Sequence, residues 1–201
     1  MESVEKIRGV LKIFKRVDAD VHNFKMRSGL SCFRQCCRCC VSKEVFVTIL
    51  EVLPMAYWIL KRDLQDEFIE KMESNPTAQC VLLKNHTKNR FFGSCLIYNL
   101  RPLICRMFGF SAILDKNGLP KLVTCQVIKR VFRHRFQSAS NSLDTYQVPI
   151  MKRYYAMLYS IDYSVSHRYY PVNEALRIAF KDVGSPPPIN YASTFDRRLI
   201  V

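Results

Sequence analysis

The segment Ser31–Cys40, SCFRQCCRCC, constrains the chain more than any other. Five of the nine cysteines fall within these ten residues, at Cys32, Cys36, Cys37, Cys39 and Cys40. A buried cysteine packs as a small hydrophobe, and cores take such residues singly. Packing therefore does not account for the density, which leaves disulfides or metal ligation. The stretch MESVEKIRGVLKIFKRVDAD has neither the apolar run nor the small-residue cleavage site of a secretory signal. That points to a cytoplasmic, reducing setting in which thiolates persist and take soft metals. Adjacent pairs such as Cys36–Cys37 and Cys39–Cys40 are also poorly placed for the Cα separation of a bridge. The expectation is a thiolate metal site rather than a disulfide framework.

With 201 residues and a hydrophobic fraction of 49%, the chain can build one ordinary core. No uncharged apolar run reaches the roughly 18 residues that a membrane helix needs. The longest candidate, Val45–Leu60, carries Glu51 and Pro54 and is followed by Lys61 and Arg62. Lysine and arginine number 31 against 17 acids, a net charge of +14. Such an excess attracts anionic surfaces without naming them. A solvated basic face, a nucleic acid and an acidic protein all remain open as readings.

Along the chain, Val4, Ile7, Val10, Leu11 and Phe14 have helical spacing, which predicts an amphipathic first helix over 4–17. From Asp18 to Leu30 the pattern is lost, and Gly29 permits a tight turn into the cysteine cluster. Residues 41–47 are β-prone. Thr48 and Glu51 then have capping-box spacing and predict a helix start, with Pro54 predicting a kink or an early stop. A second helix is expected over 60–72, with Leu64, Phe68, Ile69 and Met72 on one face and Asn75–Pro76 ending it. Lys84–Gly93 reads as a polar loop, and Pro102 suits a helix start. Phe108–Leu114 and Leu119–Cys125 read as a hairpin closed at Asn117–Gly118. Gln126–Phe136 is basic, and Ser138–Ser142 reads as a loop. Met151–Tyr163 is tyrosine-rich and helical. A last helix over 172–180 has Asn173 as its expected cap, and Gly184 begins a proline-rich tail.

Zinc and iron–sulfur clusters both take four thiolates, or thiolates with imidazole. Cys36 and Cys39 give a short chelate loop, and the distant Cys80, Cys95, Cys105 and Cys125 could close a site that pins several segments together. A single site uses only four, so two sites or some spare cysteines follow. Cys105 lies within about one turn of the expected helix start at Pro102, where free amides and the neighbouring Arg106 would favour a thiolate. Of the histidines, His86 lies between Cys80 and Cys95 and could replace a thiolate, although a solvated loop imidazole is the plainer reading. Glu174, Asp162 and Asp144 stand without a visible carboxylate partner for acid–base work, and no nucleophile-elbow sequence is present. Tyr154, Tyr155, Tyr159, Tyr163, Tyr169 and Tyr170 read as core packing, or as a stacking platform for single-stranded nucleic acid.

Taken together, the cluster, Cys80 and Cys95-x-x-Tyr98-x-x-Arg101-Pro102-x-x-Cys105-Arg106 resemble the CxxCxxCC (YkgJ-type) family of zinc- or iron-chelating domains. The resemblance covers about Cys32 to Cys125 and is most specific over Tyr98–Arg106. It implies that Cys36, Cys39 and Cys40 are the last three cysteines of the family cluster. The first would fall on Phe33, and Cys32 stands one place early. Cys37 falls outside the pattern and is the expected spare. Cys80 is followed by Val-Leu-Leu in place of the family's Pro-Phe-Leu, and Cys95, Cys105 and Cys125 fall in place. The implied metal ligands are thus drawn from Cys32, Cys36, Cys39, Cys40, Cys80, Cys95, Cys105 and Cys125. Arg101 and Arg106 are implied to balance thiolate charge or hold backbone carbonyls, and Tyr98 to pack beside them. Flagellin lysine methylases are similar to this family in their cysteine region, which raises methyl transfer. No glycine-rich strand-to-helix turn for a methyl donor is present, and catalysis is left open.

The expected fold is a mainly helical α+β domain over 1–170, its core motif at 32–125, followed by a helix and tail over 171–201. The expected function is zinc or iron chelation by thiolates, the metal being structural. Iron or iron–sulfur redox chemistry and a basic nucleic-acid adaptor are the alternatives.

Overall fold

The computed structural model describes residues 3–74 and 79–183. Asn75–Pro76 and the proline-rich tail lie outside the described residues. The described residues are mainly helical, with three two-stranded antiparallel ribbons among them set between the helices.

Helix α1 spans Ser3–Ser28 and is longer than its first apolar stripe suggests. Val21, Phe24 and Ser28 continue that stripe from Val17 through the stretch expected to be irregular, and all four are buried. Gly29 ends the helix at φ 65°, and its N–H donates to the Lys25 carbonyl. A left-handed residue just past the last turn is the usual glycine stop.

Strand β1 (Phe46–Thr48) leads directly into α2 (Ile49–Leu60). The expected capping box is formed: the Thr48 hydroxyl accepts from Glu51 N–H, and the Glu51 carboxylate accepts from Thr48 N–H. Pro54 does not stop the helix, which runs on to Leu60. Ile49 through Tyr57 are all buried, so tertiary packing outweighs the missing backbone donor. Helix α3 (Gln65–Glu73) begins later than its pattern suggests, after a turn at Asp63 with φ 54°.

The expected polar loop holds over 86–91, but its ends pair as a ribbon, β2 (Leu83–Asn85) with β3 (Gly93–Cys95). A Cβ on Gly93 would meet the Lys84 carbonyl at 2.5 Å, so the two strands close only because that residue is glycine. After a 3₁₀ turn at Tyr98–Leu100 comes the short helix α4 (Leu103–Met107). The expected hairpin follows as β4 (Ser111–Leu114) and β5 (Pro120–Val123), with Gly118 at φ 78° in its turn.

Helix α5 (Gln126–Val131) and α6 (Arg133–Asn141) carry the basic run, and α6 takes in most of the expected Ser138–Ser142 loop. Helix α7 (Met151–Ile161) and the single turn α8 (Tyr163–Ser166) follow. Strand β6 (Tyr169–Pro171) pairs with β1. Helix α9 (Val172–Val183) packs on α2, with Ala175, Leu176, Ala179 and Phe180 buried. Asn173 is not a cap. Its side chain accepts from Val81 N–H and donates to the Gln79 carbonyl, tying α9 to the segment before β2.

Of the tyrosines of 154–170, Tyr163 and Tyr169 are exposed and the rest are buried or half-buried. Tyr154 is buried with its hydroxyl on Asp20, Tyr155 packs edge-on against Tyr169, and the Tyr159 and Tyr169 hydroxyls share a hydrogen bond. Among the described residues no helix is long and apolar enough to cross a membrane.

Candidate metal centre

The cysteine loop, the end of β3, the Tyr98–Arg101 turn, α4 and one face of α1 enclose a cavity of about 410 Å³. Thiols reach it from separate parts of the chain. Cys32, Cys36, Cys37, Cys39 and Cys40 line it from the loop, Cys95 from β3 and Cys105 from α4. All nine cysteines are free. The loop is compact: Cys36 N–H donates to Phe33, and Cys40 N–H to Cys37. It is also held from outside, because Cys80 N–H donates to the Cys40 carbonyl and Cys37 N–H to the Phe91 carbonyl.

The sulfurs fall into two neighbourhoods. In the first, Cys80 and Cys105 act electrostatically on Cys40, while Cys80, Cys39 and Cys95 act on Cys105. In the second, Cys36, Cys39 and Cys125 act on Cys32, so Cys39 belongs to both. Cys40 shares a hydrogen bond with Cys39, which holds Cys39 below the ordinary thiol range and Cys40 above it. Burial, and then Cys95, push Cys80 up to about 12. Loss of solvent, and then the neighbouring sulfurs, push Cys32 up to about 11.

Cys105 departs from expectation. It sits in the first turn of α4, yet its thiol is raised, first by burial and then by Cys80, Cys39 and Cys95. The first amide of α4, Leu103 N–H, is already taken by the Glu51 carboxylate at 3.0 Å. The helix terminus is therefore less open to a thiolate than its spacing suggests.

Cys37 and Cys125 have other partners. Cys37 is buried, and its thiol donates to the Arg90 carbonyl at 3.3 Å. Cys125 caps α5, its sulfur accepting from Ile128 N–H at 3.4 Å. His86 stands on the β2–β3 ribbon, its Nε2 sharing a 2.9 Å hydrogen bond with the Ser94 hydroxyl.

The two arginines divide their work. Arg106 is only 4% exposed. Its Nε donates to the Arg101 carbonyl at 2.7 Å, and its two terminal nitrogens reach the Asn99 carbonyl and the Asp18 carboxylate. It thereby locks the turn before α4 onto α1. Arg101 lies flat on the Tyr98 ring, 3.4 Å from its centroid, and its buried Nε has no hydrogen-bond partner. Burial raises the thiols of Cys95 and Cys105, and the Arg101 charge opposes that rise; at Cys39 it adds to the lowering that the Cys40 hydrogen bond begins. Asp18 and Glu51 both organise this site, and no motif marked either for it. Their partners lie 88 and 52 residues away in sequence.

Residues 31–130 match the model of a family described as a "putative zinc- or iron-chelating domain". Over these residues the chain is a CxxCxxCC-family domain. The matched region takes in every cysteine and both arginines. No curated protein and no solved structure matches the chain. Among the described residues, no three Cys, His, Asp or Glu side chains stand ready to hold a metal ion. The donor chemistry of the CxxCxxCC domain nonetheless fits a soft metal. Its cavity gathers thiols with a cation beside them, and the sulfurs pair with one another through hydrogen bonds that a metal would replace on displacing their protons.

Proposed function

We propose that this protein binds zinc or iron through cysteine thiolates lining the cavity, with the metal fastening the 32–40 loop to the 80–105 region. The observation carrying the reading is the cavity that Cys39 and Cys40 of the loop share with Cys95 of β3 and Cys105 of α4, with Cys80 tied beside them by its N–H on the Cys40 carbonyl. Those five supply the donors of a first site, with Cys32, Cys36 and Cys125 as the donors of a second neighbourhood. When bound, zinc would supply a structural cross-link, and iron would add redox chemistry.

The chain's own groups serve such a site in distinct ways. Arg101, with its unpartnered Nε, offsets the negative charge that thiolates accumulate. Arg106 holds the Asn99–Arg101 turn so that Cys105 keeps its place at the cavity wall. Tyr98 keeps the Arg101 guanidinium flat beside the sulfurs. Elemental analysis of anaerobically purified protein, with a visible spectrum on the same sample, tests the reading. Stoichiometric zinc without colour supports a structural site. Iron with thiolate charge-transfer absorption makes redox or catalysis the leading role. Metal-free protein with native stability would overturn the proposal.

A further inference from the structure

The cysteine loop and the β2–β3 ribbon are fastened together. Gly93 N–H donates to the Gln35 carbonyl at 2.9 Å, Cys37 N–H to the Phe91 carbonyl at 3.2 Å, and the Cys37 thiol to the Arg90 carbonyl. The joined tip holds Arg38 and Arg90 on the ring of Phe91, at 4.1 and 4.7 Å from its centroid. Arg34, Lys84 and Lys88 lie exposed around it. Phe33 and Phe92 are exposed there too, at 43% and 37%.

This basic surface continues through a stacked pair. Phe33 packs on Phe132 at 6.0 Å, which carries the tip onto α5 and α6 with Lys129, Arg130, Arg133 and Arg135. Residues 31–43, 79–114 and 116–143 contain no aspartate or glutamate. The four ion pairs among the described residues involve none of these cations. Guanidiniums held over a ring keep N–H donors free for phosphate oxygens, which accept such hydrogen bonds in pairs. Exposed phenylalanines beside them offer faces to unpaired bases.

We propose that this ridge, running from the β2–β3 tip across the cysteine loop to α5 and α6, is a docking surface for single-stranded nucleic acid. Arginine and lysine neutralise its phosphates, and Phe92 and Phe33 stack its bases. A duplex meets the cations but offers no unpaired base to the two rings. An acidic peptide likewise meets the charge alone.

The test is fluorescence anisotropy of the full chain with a fluorescein-labelled oligouridylate of about 16 nucleotides, with metal content measured on the same samples. The expected result is binding whose log affinity falls with log salt by about 0.7 per neutralised phosphate. Arg38→Gln and Arg90→Gln should each reduce that slope by about 0.7. Phe92→Ala should weaken binding about tenfold without moving the slope. Should either arginine variant disturb the fold, Lys84→Gln with Lys88→Gln carries the same expectation from side chains that lie exposed at the tip. Absence of binding overturns the proposal. So do equal affinity for a duplex of the same length, preference for a polyglutamate peptide or for phosphatidylserine vesicles, and unchanged affinity across these variants. Because metal content is read separately, loss of the nucleic-acid reading and loss of the metal reading are distinct outcomes.

Discussion

The Oε1 of Glu51 accepts a 3.0 Å hydrogen bond from the backbone N–H of Leu103, which opens the helix bearing Cys105 and Arg106. The same carboxylate closes the capping box of α2 through Thr48 N–H at 2.8 Å and the Thr48 hydroxyl at 2.9 Å. One fully buried carboxylate therefore organises the N-termini of two helices, one central to the core and one forming a wall of the cysteine cavity.

Removing that carboxylate should be costly. Glu51→Ala leaves the amides of Thr48 and Leu103 buried without an acceptor, and each orphaned donor costs about 1–3 kcal/mol. Urea denaturation at neutral pH should show a loss of about 3 kcal/mol or more. A change below about 1 kcal/mol would mean that water or another acceptor reaches both amides.

Glu51 also sets a pH dependence. Burial pushes it up from 4.5 to about 7, although the three hydrogen bonds from Thr48 and Leu103 pull the other way. The folded state thus binds this proton more tightly than the unfolded chain does. The stability it contributes is fully present below about pH 4.5 and is lost as pH rises through about 7, a change on the order of 3 kcal/mol. Glu51→Gln cannot titrate. Its destabilisation relative to the parent should be greatest near pH 4.5 and should shrink toward pH 7, and a constant gap across that range would refute the assignment. Asp162 acts in a separate window. Hydrogen bonds from Lys6 and Ser164 hold it down at about 2 against an ordinary 3.8, so its contribution is present above about pH 3.8 and is lost as pH falls through about 2.

The Thr48–Glu51 box was legible because its residues stand three apart and cap by local geometry. The turn at Asn117–Gly118 was legible for the same reason. The cysteine cluster showed itself by density alone, and the tyrosine-rich helix by periodicity. The β2–β3 ribbon was not readable. Its strands are three residues each, mostly polar, and depend on Gly93 approaching Lys84 and on anchorage to Gln35. The far half of α1 was hidden because its stripe includes Ser28, which is buried with its hydroxyl on the Phe24 carbonyl. The links from Asp18 to Arg106 and from Glu51 to Leu103 join residues too far apart to leave any local pattern.

Two cysteine variants separate ligation from packing. Cys105→Ser should lose metal and lower the melting temperature, because it removes one donor from the neighbourhood shared with Cys39, Cys80 and Cys95. Cys37→Ser should keep the metal, since a serine hydroxyl can still donate to the Arg90 carbonyl that the thiol now holds. Metal analysis of the two proteins side by side checks this. Retention of metal in the first, or its loss in the second, would reverse their roles.

The Arg106–Asp18 pair should behave asymmetrically. Arg106 is buried over the Phe14 ring and donates to two carbonyls as well as to Asp18, whose own side chain is 51% exposed. In Asp18→Asn water reaches the vacated side, and the two carbonyl bonds still hold the guanidinium. The expected loss is about 1 kcal/mol or less, as for a screened pair. In Arg106→Met the Asn99 and Arg101 carbonyls lose their donor, and the turn leading to α4 loses its anchor on α1. The expected loss is about 3–5 kcal/mol, in the range for breaking a buried charged contact. Denaturant midpoints of both variants test the contrast. Equal losses would mean that the ion pair itself, and not the carbonyl clamp, holds the turn beneath Cys105.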